Sequence, residues 1–325
     1  NLVRCISLLF FLTIGNEAMA QNKLFYNEPA KNWLEALPMG NGRLGAMVHG
    51  GVEQEHIQFN EETLWTGKPR SYAREGASEH LDEIRQLLFD GKQREAQELI
   101  GEKFMSEPRS LMAYQPFGDL IIDFPSHINY SDYYRELNIE NATSKTTYKV
   151  DGVNYTREYF VSHPDQLIAI KLTSDKPGLL DFNVHLESIH FKSSVQTNYD
   201  QQHLNVRPDS EHQRFTNEFE ESLLYGEAGL KVVTDGKVIG KYKKIHVMGA
   251  TTATIYLAAH TNFINYRDIS GKPKSDINKA LKKFDTLNYK QVKKTHIKDY
   301  RSLFGRFNLK FKIRQHLIDS GCVLI

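Results

Sequence analysis

The chain has 325 residues, of which 40% are hydrophobic, enough for one large domain or two ordinary domains with substantial cores. Its 41 Lys and Arg residues balance 40 Asp and Glu residues, which gives a formal charge of +1. This balance argues against a nucleic-acid partner and against a disordered acidic tail. Sixteen Tyr and eighteen Phe residues are typical of β-sheets with large cross-strand side chains.

The first twenty residues have the pattern of a secretory signal peptide. Arg4 supplies a positive charge, residues 6–14 are apolar, and Ala18-Met19-Ala20 forms a small-residue cleavage site. The apolar run is too short to span a bilayer, so we expect no membrane association after cleavage. The pattern predicts an exported protein, either periplasmic or secreted.

Cysteine usage agrees with this expectation. Cys5 and Cys322 are the only two cysteines, and cleavage after Ala20 would leave one of them. An internal disulfide is then impossible, so a large core has to stabilise the mature chain.

Short apolar runs bounded by turn residues predict a mainly β fold. Asp151-Gly152 joins two of these runs in a tight hairpin. Many short strands without helices between them predict a large antiparallel β-sandwich. The polar stretch 188–222 is expected to form loops with uncertain strands. The predicted strands are residues 44–48, 57–59, 120–124, 146–150, 153–161, 167–172, 180–186, 230–233 and 253–259.

Two sections instead have helical periodicity. Apolar residues between 77 and 104 recur at helical spacing, which predicts an inserted helix pair broken at Asp90-Gly91, with Ser78 as its N-cap. Residues 275–304 predict two more helices with a break at Asn288. Their apolar stripe either packs on the sandwich or belongs in part against a further domain, which would leave an exposed patch. It is too mixed in polarity to favour a membrane surface.

Several segments between residues 24 and 309 occur in a recognisable order. They are residues 26–33, 35–48, 57–67, 114–120, 155–158, 262–271 and 296–304, together with the predicted helix pair between residues 77 and 104. The second contains Gly40-Asn-Gly-Arg-Leu-Gly45 and the third contains Asn60-Glu-Glu-Thr-Leu-Trp65. Together these segments resemble the N-terminal domain of glycoside hydrolase family 95, whose best-known members are α-L-fucosidases.

The resemblance implies an N-terminal β-sandwich and helical linker, followed in the family by an (α/α)6 barrel and a small β domain. It also implies hydrolysis with inversion, in which a Glu protonates the leaving oxygen and an Asp activates water, both in the barrel. We therefore expect no catalytic residue in this chain, no turnover by the chain alone, and no organic cofactor or metal. A glycan substrate would be bound by the full-length enzyme, and the sandwich would pack on the missing barrel. The alternative is a stand-alone carbohydrate-binding or structural sandwich.

The expected domain organisation follows from these patterns. A signal peptide occupies residues 1–20, the sandwich domain residues 21–270, and the helical linker residues 271–306. Residues 307–325 depart from the family pattern and are expected to be a truncated or frameshifted tail.

The turn at residues 40–45 supplies the first candidates for a substrate rim. Its glycines indicate a tight turn that enters a strand, and their spacing is not that of a phosphate-binding loop. Asn41 and Arg43 have little to do in a core, so they are candidates for contact with a glycan.

Asn60, Glu61 and Trp65 complete the predicted rim. Glu61 and Glu62 are adjacent, so in an extended chain they point to opposite sides and cannot flank one bond as acid and base. Trp65 could stack on a sugar, but we expect it to be buried and to tie its loop to the sandwich.

Two histidines are candidate metal ligands. His185 and His190 lie five residues apart, and Glu187 is the only nearby carboxylate that could complete a site. Without a clear third ligand, the sequence predicts surface histidines and no metal site.

Overall fold

The structure is a computed structural model that describes residues 22–109, 111–208, 211–212, 219–220 and 222–308. The predicted signal peptide and residues 309–325 of the predicted tail lie outside the described residues.

The described chain is mainly β, and two antiparallel sheets contain sixteen of its strands. The first nine strands are β1 (Lys23–Tyr26), β2 (Leu37–Gly40), β3 (Leu44–Val48), β4 (Gln54–Glu61), β5 (Gly118–Asp123), β6 (Ser131–Asn138), β7 (Thr143–Val150), β8 (Val153–Ser162) and β9 (Leu167–Ser174). The others are β10 (Leu180–Glu187), β11 (Ser194–Asn198), β12 (Gln201–Val206), β13 (Glu211–His212), β14 (Phe219–Glu220), β15 (Gly226–Thr234), β16 (Lys237–Lys241), β17 (Lys244–Ala250) and β18 (Thr252–Thr261).

The two large sheets form the predicted sandwich. The nine-stranded sheet has the order β1-β6-β7-β8-β9-β18-β15-β12-β11, and the seven-stranded sheet has the order β16-β17-β10-β5-β4-β3-β2. Strands β13 and β14 form a separate two-stranded ribbon. The predicted mainly β fold with an antiparallel sandwich is confirmed.

Each of the nine predicted strands overlaps an observed strand. Strands β11 and β12 lie within residues 188–222, where the sequence predicted loops with uncertain strands. Their outward positions carry Ser, Gln, His and Asn, so the apolar alternation that marks a half-buried strand is weak.

Alternation along each strand fills the core between the sheets. In β4, Glu55, Ile57, Phe59 and Glu61 are buried, while the residues between them are partly exposed. Two glutamates therefore point inward from one strand, six residues apart, because strand side chains repeat with a period of two.

The predicted helix pair is present as α1 (Leu81–Phe89) and α2 (Gln93–Leu99). The prediction of Ser78 as N-cap is wrong: Ser78 lies in a 3-10 turn before α1, whose N-cap is His80 without a side-chain hydrogen bond. The helical conformation is interrupted at Gly91, which has a φ of 73°.

Two further helices, α3 (Pro273–Lys282) and α4 (Tyr289–Phe304), cover the outer face of the nine-stranded sheet. Asn288 begins α4 with a reciprocal capping box to Gln291. A side chain at Gly229 would collide with Ile277, so glycine allows α3 to lie directly on β15. Packing of the apolar stripe on the sandwich is confirmed for the buried residues Ile277, Leu281, Phe284 and Val292, whereas Phe304, at the end of the stripe, is 37% exposed.

A buried ion pair joins the two sheets. Arg157 on β8 is 1% exposed and Glu55 on β4 is fully buried, and Nη1 of Arg157 lies 3.3 Å from Oε2 of Glu55. The Tyr159 hydroxyl donates to the same oxygen at 2.5 Å, and the Gly50 amide donates to Oε1 at 2.8 Å. Nη2 of Arg157 donates to the Val52 carbonyl at 2.7 Å. Both carboxylate oxygens of Glu55 and both terminal nitrogens of Arg157 are thus hydrogen-bonded, whereas the buried Nε of Arg157 has no partner among the described residues.

Glu55→Gln should destabilise the protein by about 3–5 kcal/mol, because it leaves the Arg157 charge buried without its carboxylate. Urea unfolding measures this change in the free energy of unfolding. The control is Arg94→Met, which breaks an exposed pair with Glu98 and should cost under about 1 kcal/mol. Equal losses in the two variants would contradict the structural role of the buried pair.

Candidate functional site at one end of the sandwich

The predicted rim residues gather at the end of the sandwich where β3 begins and β4 ends. Asn41 forms the turn between β2 and β3, since its Oδ1 accepts from the amides of Arg43 at 3.0 Å and Leu44 at 2.7 Å. Its Nδ2 donates to the Ser162 carbonyl at 2.9 Å, at the end of β8 in the other sheet. Asn41 therefore joins the two sheets at this end and is engaged through both ends of its amide.

Arg43 is the centre of the cluster. Its Nε donates to Oε1 of Gln166 at 2.7 Å, and its Nη1 donates to the Ala259 carbonyl at 2.7 Å. The same Nη1 lies 3.2 Å from Oε1 of Glu61 and 3.5 Å from Nδ1 of His260. Its side chain is 20% exposed, so the guanidinium lies at the boundary between core and solvent.

Glu61 is the buried carboxylate of this end, with a side chain only 3% exposed. Its Oε2 accepts from the amide of Thr63 at 2.8 Å and from the Thr63 hydroxyl at 2.7 Å. Burial raises the pKa of the Glu61 carboxyl, although Thr63 and Arg43 bind its charged form. Glu62 is exposed, in agreement with the prediction that the two neighbours point to opposite sides.

Asn60 and Trp65 hold the loops around the cluster. Oδ1 of Asn60 accepts from the Phe117 amide at 2.7 Å. Trp65 is 38% exposed, so the expectation that it is buried is wrong. Its Nε1 donates to the Glu62 carbonyl at 2.9 Å, and its ring lies 5.4 Å from that of Tyr114, which is 44% exposed. The short loop that follows β4 holds the indole at the surface, where it forms an exposed aromatic pair.

Sequence reasoning missed four members of the cluster: Thr63, Gln166, His260 and Thr261. The hydroxyls of Thr63 and Thr261 are in direct contact, and Gln166 has a φ of 56°. Gln166 and Arg43 are 123 residues apart in the chain, so no local spacing reveals their contact.

The histidines considered as metal ligands are placed apart. His185 lies 3.9 Å from both Asp123 and Glu187, too far for hydrogen bonds, while the His190 ring contacts the Pro116 carbonyl at 2.9 Å. In the described part of the chain, no three His, Cys, Asp or Glu side chains are grouped so that they could hold a metal ion. Among the described residues, no helix is both long and apolar enough to cross a membrane.

The class of this domain, the N-terminal domain of a glycoside hydrolase, is shown by its match to a family model. The model of the family described as "Glycosyl hydrolase family 65, N-terminal domain" matches residues 24–266, so the chain belongs to that family. The resemblance to α-L-fucosidases of glycoside hydrolase family 95 is also confirmed.

Relatives with similar sequences are named as fucosidases. The chain is 33% identical over 319 residues to "Alpha-L-fucosidase 2" of Arabidopsis thaliana, with 91% of this chain and 37% of that protein covered. It is 25% identical over 307 residues to "Probable alpha-fucosidase A" of Aspergillus niger, with 84% and 35% covered. The chain therefore spans about a third of the length of these relatives. A solved structure described as "Putative kojibiose phosphorylase from human microbiome" superimposes with a TM-score of 0.41 and 11% identity, covering 87% of this chain and 38% of that one.

The cluster generates a pH-dependence prediction. Burial, followed by the charge of Arg43, lowers the pKa of His260 to about 4. The ordinary value is about 6.5, so the unfolded chain binds a proton here that the folded chain excludes. Stability should therefore fall as the pH drops from 6.5 towards 4. The His260 share is about 1 kcal/mol at pH 5, discounted because the ring is partly exposed.

Urea unfolding of His260→Asn and the parent protein at pH 8, 7 and 5 tests this expectation. The variant should lose less stability than the parent between pH 7 and 5, and the two should change in parallel between pH 8 and 7. If the variant lost as much stability as the parent between pH 7 and 5, the expectation would be contradicted.

Proposed function

We propose that this chain is the N-terminal domain and linker of an exported, inverting α-L-fucosidase whose catalytic residues lie in a further domain. The observation that supports the proposal most strongly is the similarity to plant and fungal α-fucosidases along nearly the whole chain. Those relatives are almost three times as long as the part that aligns, which leaves room for an (α/α)6 barrel.

The chemistry of the described residues supports a catalytic centre elsewhere. Inverting hydrolysis needs two carboxyl groups roughly 6.5–9.5 Å apart, with room for water between them. At the candidate end, both oxygens of Glu61 are bound by Arg43 and Thr63. Glu62 points to the opposite side, so this pair cannot perform the reaction. Arg43 and Glu61 instead fix the shape of the rim.

The same end offers a surface on which the catalytic domain can pack. Trp65 and Tyr114 are exposed, and the loop after β18 adds Phe263, Ile264 and Tyr266, which are 37%, 55% and 68% exposed. An exposed group of large apolar side chains is typical of a surface that binds another domain. We infer that the partner is the barrel of the same protein, which would place Asn41, Arg43, Asn60, Glu61 and Trp65 beside its glycan pocket.

Export is the other part of the proposal. Its support is the charged, apolar and small-residue pattern of residues 1–20. Mass spectrometry of the exported protein should give a mature chain that begins at Gln21, and retention of residues 1–20 would contradict export by this route.

The 325-residue chain should show no hydrolysis of 4-nitrophenyl α-L-fucoside, because the proposal places the catalytic carboxyl groups in the further domain. A longer protein that continues this reading frame into a helical domain should release fucose with inversion, detected as the β-anomer by NMR. Turnover by the 325-residue chain would contradict the placement of the catalytic residues. An inactive longer protein would favour the stand-alone sandwich instead.

Trp65→Ala in the longer protein should lower its specific activity about thirtyfold, because loss of an aromatic anchor at the docked interface weakens domain docking by roughly 2 kcal/mol. The same substitution in the isolated chain should change its free energy of unfolding by under about 1 kcal/mol, since the ring is exposed there. The matched control is Tyr242→Ala, which removes an aromatic side chain 81% exposed on the β16–β17 hairpin and should leave activity unchanged. Equal activities of the Trp65 variant and the parent would contradict docking at this end.

A further inference from the structure

A small polar cleft lies on the outer face of the nine-stranded sheet, away from the rim described above. Its volume is about 290 Å³, and it lies between the strands β11, β12 and β15, of which β11 is the edge strand, and the first turn of α3. This is near the lower end of the size of small-molecule sites, so it fits a single sugar-sized unit.

Strand register brings the polar side chains of the floor together. Ser194, Asn205 and Glu227 are direct partners across β11, β12 and β15, and Gln196 pairs with His203 one step along the strands. Side chains at paired positions share a face of the sheet. Five hydrogen-bonding side chains therefore converge from three strands, and none of them is apolar.

Glu227 is the most buried side chain of the floor. It is 8% exposed, its Oε2 lies 2.7 Å from Nε2 of His203, and its Oε1 accepts from Nδ2 of Asn205 at 3.3 Å. An ionised carboxylate has about four acceptor sites, so each oxygen can still accept from a ligand hydroxyl. The carboxylate is thus fixed in place as an acceptor.

Two cationic side chains face this floor. Lys274 is in the first turn of α3, and the guanidinium of Arg207 lies over the Tyr225 ring at 3.9 Å. Within the described residues neither cation forms an ion pair. The amides of the first turn of α3 add partial positive charge. The upper wall of the cleft therefore favours an anion, while its floor favours hydroxyl groups.

We propose that this cleft binds a hexuronic acid unit of a glycan. The carboxylate of the sugar lies between Arg207 and Lys274, and its ring hydroxyls donate to Glu227 and exchange hydrogen bonds with Asn205 and Gln196. A guanidinium can bind a carboxylate through two parallel hydrogen bonds, and stacking on Tyr225 holds it in one orientation.

The cleft is separate from the rim, but strand register relates the two. Glu227 is paired in register with His260, and His260 lies 3.5 Å from Arg43. Adjacent strands are about 4.8 Å apart, so the cleft lies about one strand away from the Arg43 cluster. The choice of a sugar as the ligand rests on the proposed function, whereas the charge and hydroxyl contacts do not. The test measures binding without turnover, so its failure would leave the hydrolase proposal intact.

Calorimetric titration of the purified 325-residue chain with methyl glucuronide and methyl galacturonide tests the proposal. At least one should bind saturably and at least tenfold more tightly than methyl glucoside, which lacks the carboxylate. Lys274→Met should weaken binding about tenfold, and Glu227→Gln should weaken the uronide without affecting acetate. The matched control is Lys282→Met, at the exposed far end of the same helix, which should bind as the parent does.

Three results would overturn the proposal. The first is that neither methyl glucuronide nor methyl galacturonide binds. The second is that methyl glucoside binds as tightly as the uronides, which would show that the carboxylate is not recognised. Acetate competing as well as the uronide would show a simple anion patch without hydroxyl recognition. Thermal melting checks the fold of each variant, and because Lys274 is exposed, its variant decides the outcome even if Glu227→Gln unfolds.

Discussion

The two sheets of the sandwich meet around a guanidinium group that has no access to water. Arg157 reaches from β8 to Glu55 on β4, and the hydroxyl of Tyr148 accepts from its Nη2 at 2.6 Å. Burying a charge pair is costly unless the surrounding groups satisfy it. The carbonyls of Gly51 and Val52, in the turn after β3, accept hydrogen bonds from the Arg157 guanidinium. The pairing therefore fixes the distance between the sheets and the path of the β3–β4 hairpin together.

The effect of this charge extends to neighbouring groups. The ring of His127 lies 2.8 Å from the hydroxyl of Tyr148, and burial together with the Arg157 charge lowers its pKa to about 4. Burial raises the pKa of Tyr148 to about 12, although the Arg157 charge acts in the opposite direction. Both side chains therefore remain neutral beside the buried Arg157 cation, whose charge is balanced by Glu55.

Strand β4 carries a second glutamate at its other end, and the contrast explains where a function can reside. Glu55 is paired with a fully buried arginine, whereas Glu61 is paired with Arg43, whose side chain is 20% exposed. The first pair serves the fold alone. The second is accessible, and it is surrounded by exposed aromatic side chains and a neighbouring polar cleft. One strand thus connects the stable centre of the molecule to its candidate binding surface.

The sequence by itself determined the alternating strands, the Asp151-Gly152 hairpin, the break at Asn288 and the opposite orientation of Glu61 and Glu62. These follow from local periodicity and turn chemistry, which neighbouring residues carry. Only the tertiary structure decided that Trp65 is exposed, that β11 and β12 are strands, and that Gln166 and His260 surround Arg43. The contacts of Arg43 with Gln166 and His260 join residues over a hundred positions apart, and they depend on which strands become neighbours. No spacing within one strand encodes that choice, because it emerges when the two sheets pack.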